Sequence, residues 1–193
     1  MFDFLISSLL IAFAYVLGSF ATGYHLVWWK TKRDIRCHGS GSIGATNVSR
    51  VMGKFGFFTT LVIDCLKAIL AVGICQILQQ SDMVISMALI AVIAGHIWPF
   101  YLNFKGGKGI AVALGAFLMV DIYIVVFIVS VSALVFLITR RFTLSWLLGV
   151  IALLISIVVK DNQSLSVIFS VFFSSTLIIY AHRDNILDEF FFE

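Results

Sequence analysis

Residues 110–138, IAVALGAFLMVDIYIVVFIVSVSALVFLI, form an apolar run of 29 residues in which Asp121 is the one charged side chain. A transmembrane helix needs about 20 predominantly apolar residues. The run therefore predicts either one long, tilted helix or two helices that meet at Asp121. In the second case a short helix would end near Val120, and the next helix would end near Thr139.

The composition of the whole chain is that of a membrane protein. Of the 193 residues, 61% are hydrophobic and 12% are charged, whereas soluble domains have roughly 45–50% and about 25%. The apolar runs are continuous, unlike the alternating segments of about 10 residues in a transmembrane β-barrel. The three cysteines show no metal-ligand spacing. We predict an all-α integral membrane protein with a single domain over residues 1–193, no metal and no cofactor.

Other apolar runs predict the remaining spans, at about residues 4–29, 55–78, 83–102, 144–159 and 165–181. The count is seven if Asp121 marks a turn and six if it does not. With seven spans, eleven of the 13 Lys and Arg residues lie on one side, Lys160 lies on the other, and Lys67 lies within a span. Because Lys and Arg concentrate in cytoplasmic loops, we expect seven spans with the N-terminus outside and the C-terminus in the cytoplasm.

Between two of these spans lies the sequence Phe104-Lys105-Gly106-Gly107-Lys108-Gly109, which we call the glycine–lysine loop. Glycines let a backbone approach a ligand and turn its N–H groups inward, and the lysines add positive charge. A helix beginning at Ile110 would also point its positive N-terminal end at the loop. The spacing is not that of a nucleotide-binding P-loop. The loop therefore predicts an anion site, for which the candidate contacts are Lys105, Gly106, Gly107 and Lys108.

Residues 39–50, GSGSIGATNVSR, form a second polar stretch, which we call the glycine–serine segment. It is either a flexible connector between two spans or a binding loop. Its many small hydrogen-bond donors beside an arginine favour binding, since a guanidinium holds a phosphate through two parallel hydrogen bonds. The candidate contacts are Gly39, Ser40, Gly41, Thr46, Asn47 and Arg50.

Asp64, Lys67 and His96 are polar, ionisable residues inside predicted spans. Asp64 and Lys67 are three residues apart and share one face of a helix. Since charges in a bilayer usually face the interior of a bundle, this pair either fixes helix packing or forms a polar wall of a cavity. His96 lies one turn before Pro99 and either steadies the helix end or contacts a substrate. These alternatives stay open at the level of sequence.

His182 and Asn185 follow the last span, on the same expected side as both polar stretches. The three groups would then share one anion pocket. An anion transporter would instead carry polar residues in the middle of several spans and often internal repeats. No G-x-S-x-G motif and no pair of carboxylates at useful spacing occurs, so we expect chemistry that depends on positioning and charge stabilisation of a reactive substrate.

These motifs together resemble the bacterial acyl-phosphate:glycerol-3-phosphate acyltransferases, a family of integral inner-membrane enzymes. The resemblance covers nearly the whole chain, although Ser42 stands where the family usually has Asn, and Phe20-Ala21 where it has Pro. The matching motifs are Gly18-Ser19 with Gly23-Tyr24, Asp34-Ile35-Arg36, Gly39-Ser40-Gly41, Gly44-Ala45-Thr46-Asn47, Asp64 with Lys67, Gly95-His96 with Pro99, residues 104–109, and His182-Arg183 with Asn185-Ile186.

The resemblance implies transfer of an acyl group from acyl-phosphate to the 1-hydroxyl of glycerol 3-phosphate. The products would be lysophosphatidic acid and phosphate, in the first acylation of phospholipid synthesis. The donor's own phosphate would accept the hydroxyl proton, and no cofactor would take part. The family also implies a cytoplasmic-facing site in the bacterial inner membrane and transient contact with the soluble enzyme that makes acyl-phosphate. We expect no nucleic-acid partner.

Residues and resemblance together assign the expected roles. We expect catalytic roles for Ser40, Arg50, Lys108, His182 and Asn185. We expect substrate contacts from Gly39, Gly41, Thr46, Asn47, Lys67, His96, Lys105, Gly106 and Gly107.

Overall fold

The computed structural model describes residues 2–159 and 164–186, and within these ranges every regular element is helical. Short 3-10 turns at Ile35–Cys37 and Phe100–Leu102 lie in two of the connections. The α-helices are α1 (Phe2–Ser19), α2 (Thr22–Thr31), α3 (Ala45–Ile77), α4 (Asp82–Ile97), α5 (Ile110–Val120), α6 (Ile122–Thr139), α7 (Phe142–Val159) and α8 (Leu165–Ala181).

Apolar composition extends along nearly all of these helices, as expected of a membrane protein. Within the described ranges, four stretches are long and apolar enough to cross a bilayer: Phe2–Thr31, Ala45–Ile77, Asp82–Leu102 and Ile122–Thr139. Three shorter apolar helices accompany them: Ile110–Val120, Phe142–Ile157 and Leu165–Ala181. The prediction of an all-helical fold is confirmed for the part of the chain that the structure covers.

Asp121 separates α5 from α6, which confirms the two-helix alternative. Its backbone is extended (φ −156°, ψ 111°), and its side chain accepts a hydrogen bond from the N–H of Tyr123 at 2.8 Å. Its own N–H donates to the carbonyl of Phe117. The same residue thus ends one helix and caps the next. With 11 residues, α5 is about 16 Å long, shorter than a typical membrane-spanning helix.

The span predicted at residues 4–29 lies within the apolar stretch Phe2–Thr31, but Phe20 and Ala21 divide this stretch into α1 and α2. Side chains from later helices satisfy the backbone at the break. The carbonyl of Phe20 accepts from Lys67 Nζ at 2.8 Å, and the N–H of Ala21 donates to Tyr101 Oη at 2.9 Å. An unpaired backbone group within a membrane costs several kcal/mol, so these distant partners make the break possible.

Helix α3 begins ten residues before the predicted span and contains a kink. At Gly53 the backbone adopts φ 65° and ψ −157°, a conformation that is essentially restricted to glycine. The eight residues before the kink, 45–52, carry three of the candidate contacts of the glycine–serine segment, Thr46, Asn47 and Arg50. Part of the glycine–serine segment, which we expected to be a loop, is therefore a short helix that the kink at Gly53 separates from the main part of α3.

Helix α4 lies at the centre of the described bundle. Its residues Leu89, Val92 and Ile93 are completely buried, and it packs against α1, α3, α5 and α8. Both the turn at Phe100–Leu102 and the glycine–lysine loop follow it directly. The loop therefore begins from the most enclosed helix of the described structure, which gives it a firm support.

Candidate active site

A cavity of about 330 Å³ lies where the glycine–serine segment, the start of α5, the start of α7 and the end of α8 meet. Its polar wall contains Ser40, Ser42, Thr46, Asn47, Arg50, Asp64, His96, Lys108, His182 and Asn185. Its apolar wall contains Phe57, Leu61, Ile110, Leu114, Phe142 and Trp146. A cavity with a cationic, hydrogen-bonding wall and a hydrocarbon wall suits a ligand with an anionic head and an apolar tail.

All five residues predicted to be catalytic line this one cavity, namely Ser40, Arg50, Lys108, His182 and Asn185. They come from three regions of the chain that are far apart in sequence. A hydrogen bond from Lys108 Nζ to Asn185 Oδ1 joins two of these regions directly. The predicted convergence of the polar stretches in one pocket agrees with this geometry.

His182 has a defined hydrogen-bonding state. It lies one residue beyond α8 and is 3% exposed, and its Nδ1 is 2.8 Å from the carbonyl oxygen of Ile178. A carbonyl only accepts, so Nδ1 carries the proton and Nε2 is left as an acceptor. Burial, with a smaller contribution from the positive charge of Lys108, lowers the pKa of His182 to about 4. The ring is therefore neutral at pH 7 and offers one hydrogen-bond acceptor.

Asn47 holds the glycine–serine segment in shape. Its side chain is buried, and Nδ2 donates to the carbonyls of His38 at 2.9 Å and Ser42 at 2.8 Å. Its Oδ1 accepts the N–H of Ser40 at 3.0 Å. Gly39 has φ +56°, and a Cβ there would lie 2.2 Å from Asn47 Oδ1, so a side chain does not fit. The amide that we expected to contact substrate thus supports the loop that carries Ser40.

Both glycines 39 and 41 lie outside the cavity wall, although we expected them to contact substrate. Each has a positive φ, +56° and +69°, and so shapes the turn on which Ser40 stands. Thr46, by contrast, lines the cavity as expected and is exposed.

The glycine–lysine loop does not form the expected backbone cradle. The N–H of Gly106 donates to the carbonyl of Ile97 at 3.0 Å, and that of Gly107 donates to the carbonyl of His96 at 2.9 Å. Both donors therefore pair with the end of α4 and do not face a ligand. The residues of this loop that line the cavity are Lys108 and Gly109, whereas Lys105, Gly106 and Gly107 do not.

Asp64, Lys67 and His96 form a buried cluster beside the cavity. Lys67 Nζ lies 2.9 Å from Asp64 Oδ1, 3.0 Å from His96 Nδ1 and 2.8 Å from the carbonyl oxygen of Phe20. These three acceptors use all three N–H bonds of the ammonium. Thr22 also donates to Asp64, at 2.8 Å. Asp64 and His96 reach the cavity wall, whereas Lys67 lies outside it, although we expected Lys67 to contact substrate.

Arg36 is a functional candidate to which the sequence analysis gave no role. Its guanidinium is paired with Asp34 at 2.7 Å, donates to the carbonyl of Leu102 at 2.8 Å, and lies 5.3 Å from the centre of the Tyr24 ring. The side-chain hydrogen bonds from Arg36 lower the pKa of Asp34. Arg36 therefore ties the stretch before the glycine–serine segment to the start of the glycine–lysine loop. The Asp-x-Arg spacing was the available signal, because it allows a two-pronged pair.

The apolar wall from α7 was also missed. Phe142 and Trp146 lie in a span in which most residues are apolar, so nothing local distinguishes a side chain that lines a cavity from one that faces lipid. Among the described residues, no group of three or more His, Cys, Asp and Glu side chains could hold a metal ion.

Comparisons with known proteins complete the description. Residues 8–190 match the family model described as glycerol-3-phosphate acyltransferase. Glycerol-3-phosphate acyltransferase 1 of Desulfitobacterium hafniense (strain Y51) is 41% identical over 174 residues, covering 90% of this chain and 85% of that protein. Glycerol-3-phosphate acyltransferase of Desulforamulus reducens is 37% identical over 175 residues, with coverages of 90% and 86%.

Solved structures show the same likeness. The crystal structure of PlsY (YgiH), an integral membrane glycerol 3-phosphate acyltransferase, in its glycerol 3-phosphate form has a TM-score of 0.88 and 33% sequence identity. The match covers 95% of this chain and 91% of that one. Its lysophosphatidic acid form has a TM-score of 0.84 at the same identity and coverage.

Proposed function

The chain belongs to the glycerol-3-phosphate acyltransferase family, and from this premise we propose that its acyl donor is acyl-phosphate and its acceptor the 1-hydroxyl of glycerol 3-phosphate. The observation that carries the proposal is the division of the cavity into a polar wall with two cationic side chains, Arg50 and Lys108, and an apolar wall. Two phosphate groups and one hydrocarbon chain would meet in such a space.

The need for an activated donor follows from what the cavity wall contains. Among the described residues, no hydrogen bond links a histidine to a serine, threonine or cysteine side chain. A serine attack that leads to an acylated protein needs such a base. Acyl-phosphate is a mixed anhydride whose leaving group is phosphate, so the reaction can proceed by direct transfer between the two bound substrates.

The proposed step is a single displacement at the acyl carbonyl carbon. The 1-hydroxyl oxygen of glycerol 3-phosphate forms a bond to this carbon, and the bond from the carbon to the phosphate oxygen breaks. The hydroxyl proton passes to the departing phosphate. Arg50 and Lys108 would bind the phosphates and stabilise the negative charge that develops during transfer. The products are lysophosphatidic acid and inorganic phosphate.

The neutral polar residues would orient the acceptor. His182 Nε2 is an acceptor and can take a hydrogen bond from a glycerol hydroxyl, which holds that hydroxyl in one direction. Asn185 and Ser40 also line the cavity and would supply further hydrogen bonds. The hydrocarbon chain of the donor would lie along the apolar wall, between Leu61 of α3 and Trp146 of α7.

We also propose a topology of seven spans, with the N-terminus outside and the C-terminus and the site facing the cytoplasm of a bacterium. The distribution of Lys and Arg supports it, as does the break at Asp121. A cytoplasmic site would receive glycerol 3-phosphate from solution and acyl-phosphate by transient contact with the soluble enzyme that makes it. Single cysteines, Tyr123→Cys and Arg140→Cys, in a protein without its native cysteines should label from opposite faces. Labelling of both from one face contradicts seven spans.

The donor assignment is tested with purified protein in detergent. We expect lysophosphatidic acid from palmitoyl-phosphate and glycerol 3-phosphate, and none when palmitoyl-CoA replaces palmitoyl-phosphate. Product from palmitoyl-CoA, together with no product from palmitoyl-phosphate, would overturn the donor assignment. Arg50→Ala and Lys108→Ala should raise the KM for glycerol 3-phosphate or abolish turnover. Lys54→Ala, an exposed cation four residues from Arg50 and outside the cavity wall, is the matched control and should behave as wild type.

A further inference from the structure

We infer that the buried cluster of Asp64, Lys67 and His96 is a positioning device that holds the glycine–lysine loop so that Lys108 faces the cavity. The inference rests on the proposed function, because Lys108 is one of the two cations proposed to bind phosphate. It assigns the cluster a role that neither helix packing nor direct substrate contact describes.

The cluster is rigid because its charges are enclosed and saturated with partners. The side chains of Lys67 and Asp64 are 4% and 1% exposed, and their charged atoms are 2.9 Å apart. Lys67 also holds the ring of His96 through Nδ1 at 3.0 Å. Two contacts of the ammonium join α3, which carries both Lys67 and Asp64, to other elements, since His96 belongs to α4 and Phe20 to the break after α1. A change of the Lys67 side chain would release both at once.

His96 transmits this rigidity to the loop by shape and by hydrogen bonding. Its carbonyl accepts the N–H of Gly107 at 2.9 Å. A Cβ at position 107 would lie 2.0 Å from the ring atom Nε2 and within 2.9 Å of two ring carbons. The ring therefore occupies the place where a side chain would stand, and glycine is required there by close approach. Lys108 is the next residue, so a path of direct contacts runs from Lys67 through His96 and Gly107 to Lys108.

The location of the cluster explains why a buried ion pair is present at all. Replacing a buried pair by apolar side chains is often neutral or stabilising, so helix packing alone gives little reason for charges here. The ammonium and the imidazole fix directions that apolar groups cannot, because hydrogen bonds are directional. That direction is needed at the end of α4, where the loop turns toward the cavity.

Removing Lys67 alone would leave Asp64 as an unpaired buried charge, so the first test variant is the uncharged pair Asp64→Asn with Lys67→Met. Because Asp64 also lines the cavity, the informative readout for this variant is the exchange of the loop amides and not activity alone. A second variant, Gly107→Ala, leaves every charge in place and acts only on the contact with His96. The matched control is Ser86→Ala, which removes a buried hydrogen bond between α4 and α8, 2.9 Å long, away from the loop.

The experiment combines amide hydrogen exchange, read by mass spectrometry on peptides that cover residues 98–109, with acyl-transfer kinetics. We expect both test variants to exchange loop amides about tenfold faster or more, and to lose about tenfold or more in kcat/KM for glycerol 3-phosphate. Ser86→Ala should leave loop exchange and kcat/KM unchanged.

Three outcomes would overturn the inference. Loop exchange that stays at the wild-type rate in both variants means that the cluster does not hold the loop. Faster loop exchange with wild-type kcat/KM means that the loop position does not matter to the site. Faster exchange throughout α4 and α8 in both variants means that the cluster holds the whole fold. Exchange needs no turnover, so a wild-type protein that is inactive with acyl-phosphate would refute the proposed function and still leave the loop result readable.

Discussion

Asn47→Asp tests whether one buried amide holds the glycine–serine segment around the cavity. The substitution keeps the size and shape of the side chain but can replace the donor Nδ2 by an oxygen. In the native structure Nδ2 donates to the carbonyls of His38 and Ser42 at 2.9 and 2.8 Å. A carboxylate oxygen in that place would face two carbonyl oxygens with no proton between them.

The expected magnitude follows from these contacts. Each lost hydrogen bond removes about 1 kcal/mol, and a buried carbonyl left without a donor costs about 1–3 kcal/mol. Allowing for partial relaxation, the observed shape of the segment should lose about 2–4 kcal/mol relative to other shapes. At about 1.4 kcal/mol for each factor of ten, the equilibrium ratio of this shape to other shapes falls by a factor of about 30 to 700. Since this shape places Ser40 at the cavity, kcat/KM should fall by up to a similar factor.

The assay measures lysophosphatidic acid formation by detergent-purified protein at saturating acyl-phosphate, with glycerol 3-phosphate varied. Circular dichroism on the same samples reports whether the helices persist. Ser49→Ala is the matched control, because it removes an exposed 2.8 Å hydrogen bond to the carbonyl of Thr46 in the same short helix. We expect the control to stay within about twofold of wild type, as is usual for surface substitutions.

Two results would refute the reasoning on Asn47. If Asn47→Asp retains kcat/KM within about threefold of wild type, the amide does not hold the segment in its active shape. If activity is lost together with helical signal, the amide supports the whole fold rather than this segment.

Three further predictions concern the kink, the tie between the loops and the buried imidazole. The new Cβ of Gly53→Ala meets no atom within 4 Å, so the substitution acts through backbone strain of about 1–3 kcal/mol. We expect kcat/KM to fall about tenfold or more, and wild-type kinetics would show that the kink is not needed. Arg36→Lys keeps the charge but cannot hold both Asp34 and the Leu102 carbonyl in the same fork geometry. We expect a loss of about 1–2 kcal/mol in stability and faster hydrogen exchange in residues 98–109. An unchanged melting temperature with unchanged exchange would show that Arg36 does not hold these two segments together. Because burial lowers the pKa of His182 to about 4, its NMR imidazole signals should stay constant from pH 8 to 6 and shift only in more acidic solution, where a proton on Nε2 removes the acceptor; a midpoint near 6.5 would contradict its neutral state.

The helices can be located from sequence where the signal is local. A long apolar run predicts a span because the hydrocarbon core requires one, and Asp121 predicts a break because it can cap a helix. The break between α1 and α2 has no such signal. There the backbone is satisfied by Lys67 and Tyr101, which lie far along the chain, so only the packed bundle reveals it.

For the candidate site, too, only part could be predicted from sequence. Polar residues stand out in a chain of this composition, and Ser40, Arg50, Lys108, His182 and Asn185 could therefore be proposed from sequence and resemblance. The direction in which each side chain or backbone N–H points could not be predicted from sequence. Gly106 was expected to turn its N–H toward a phosphate, and the structure shows the N–H paired with the end of α4.

The amino-acid sequence by itself determined that this chain is a helical membrane protein with one polar, cationic region, because hydropathy and charge act locally and add along the chain. Only the tertiary structure decided which residues face the cavity and which support them. Lys67 is an example: three acceptors from three elements surround its ammonium and withdraw it from the cavity, while Lys108, beside Gly107, lines it. The physical reason is that hydrogen-bond direction and close packing depend on groups that meet only when the helices assemble.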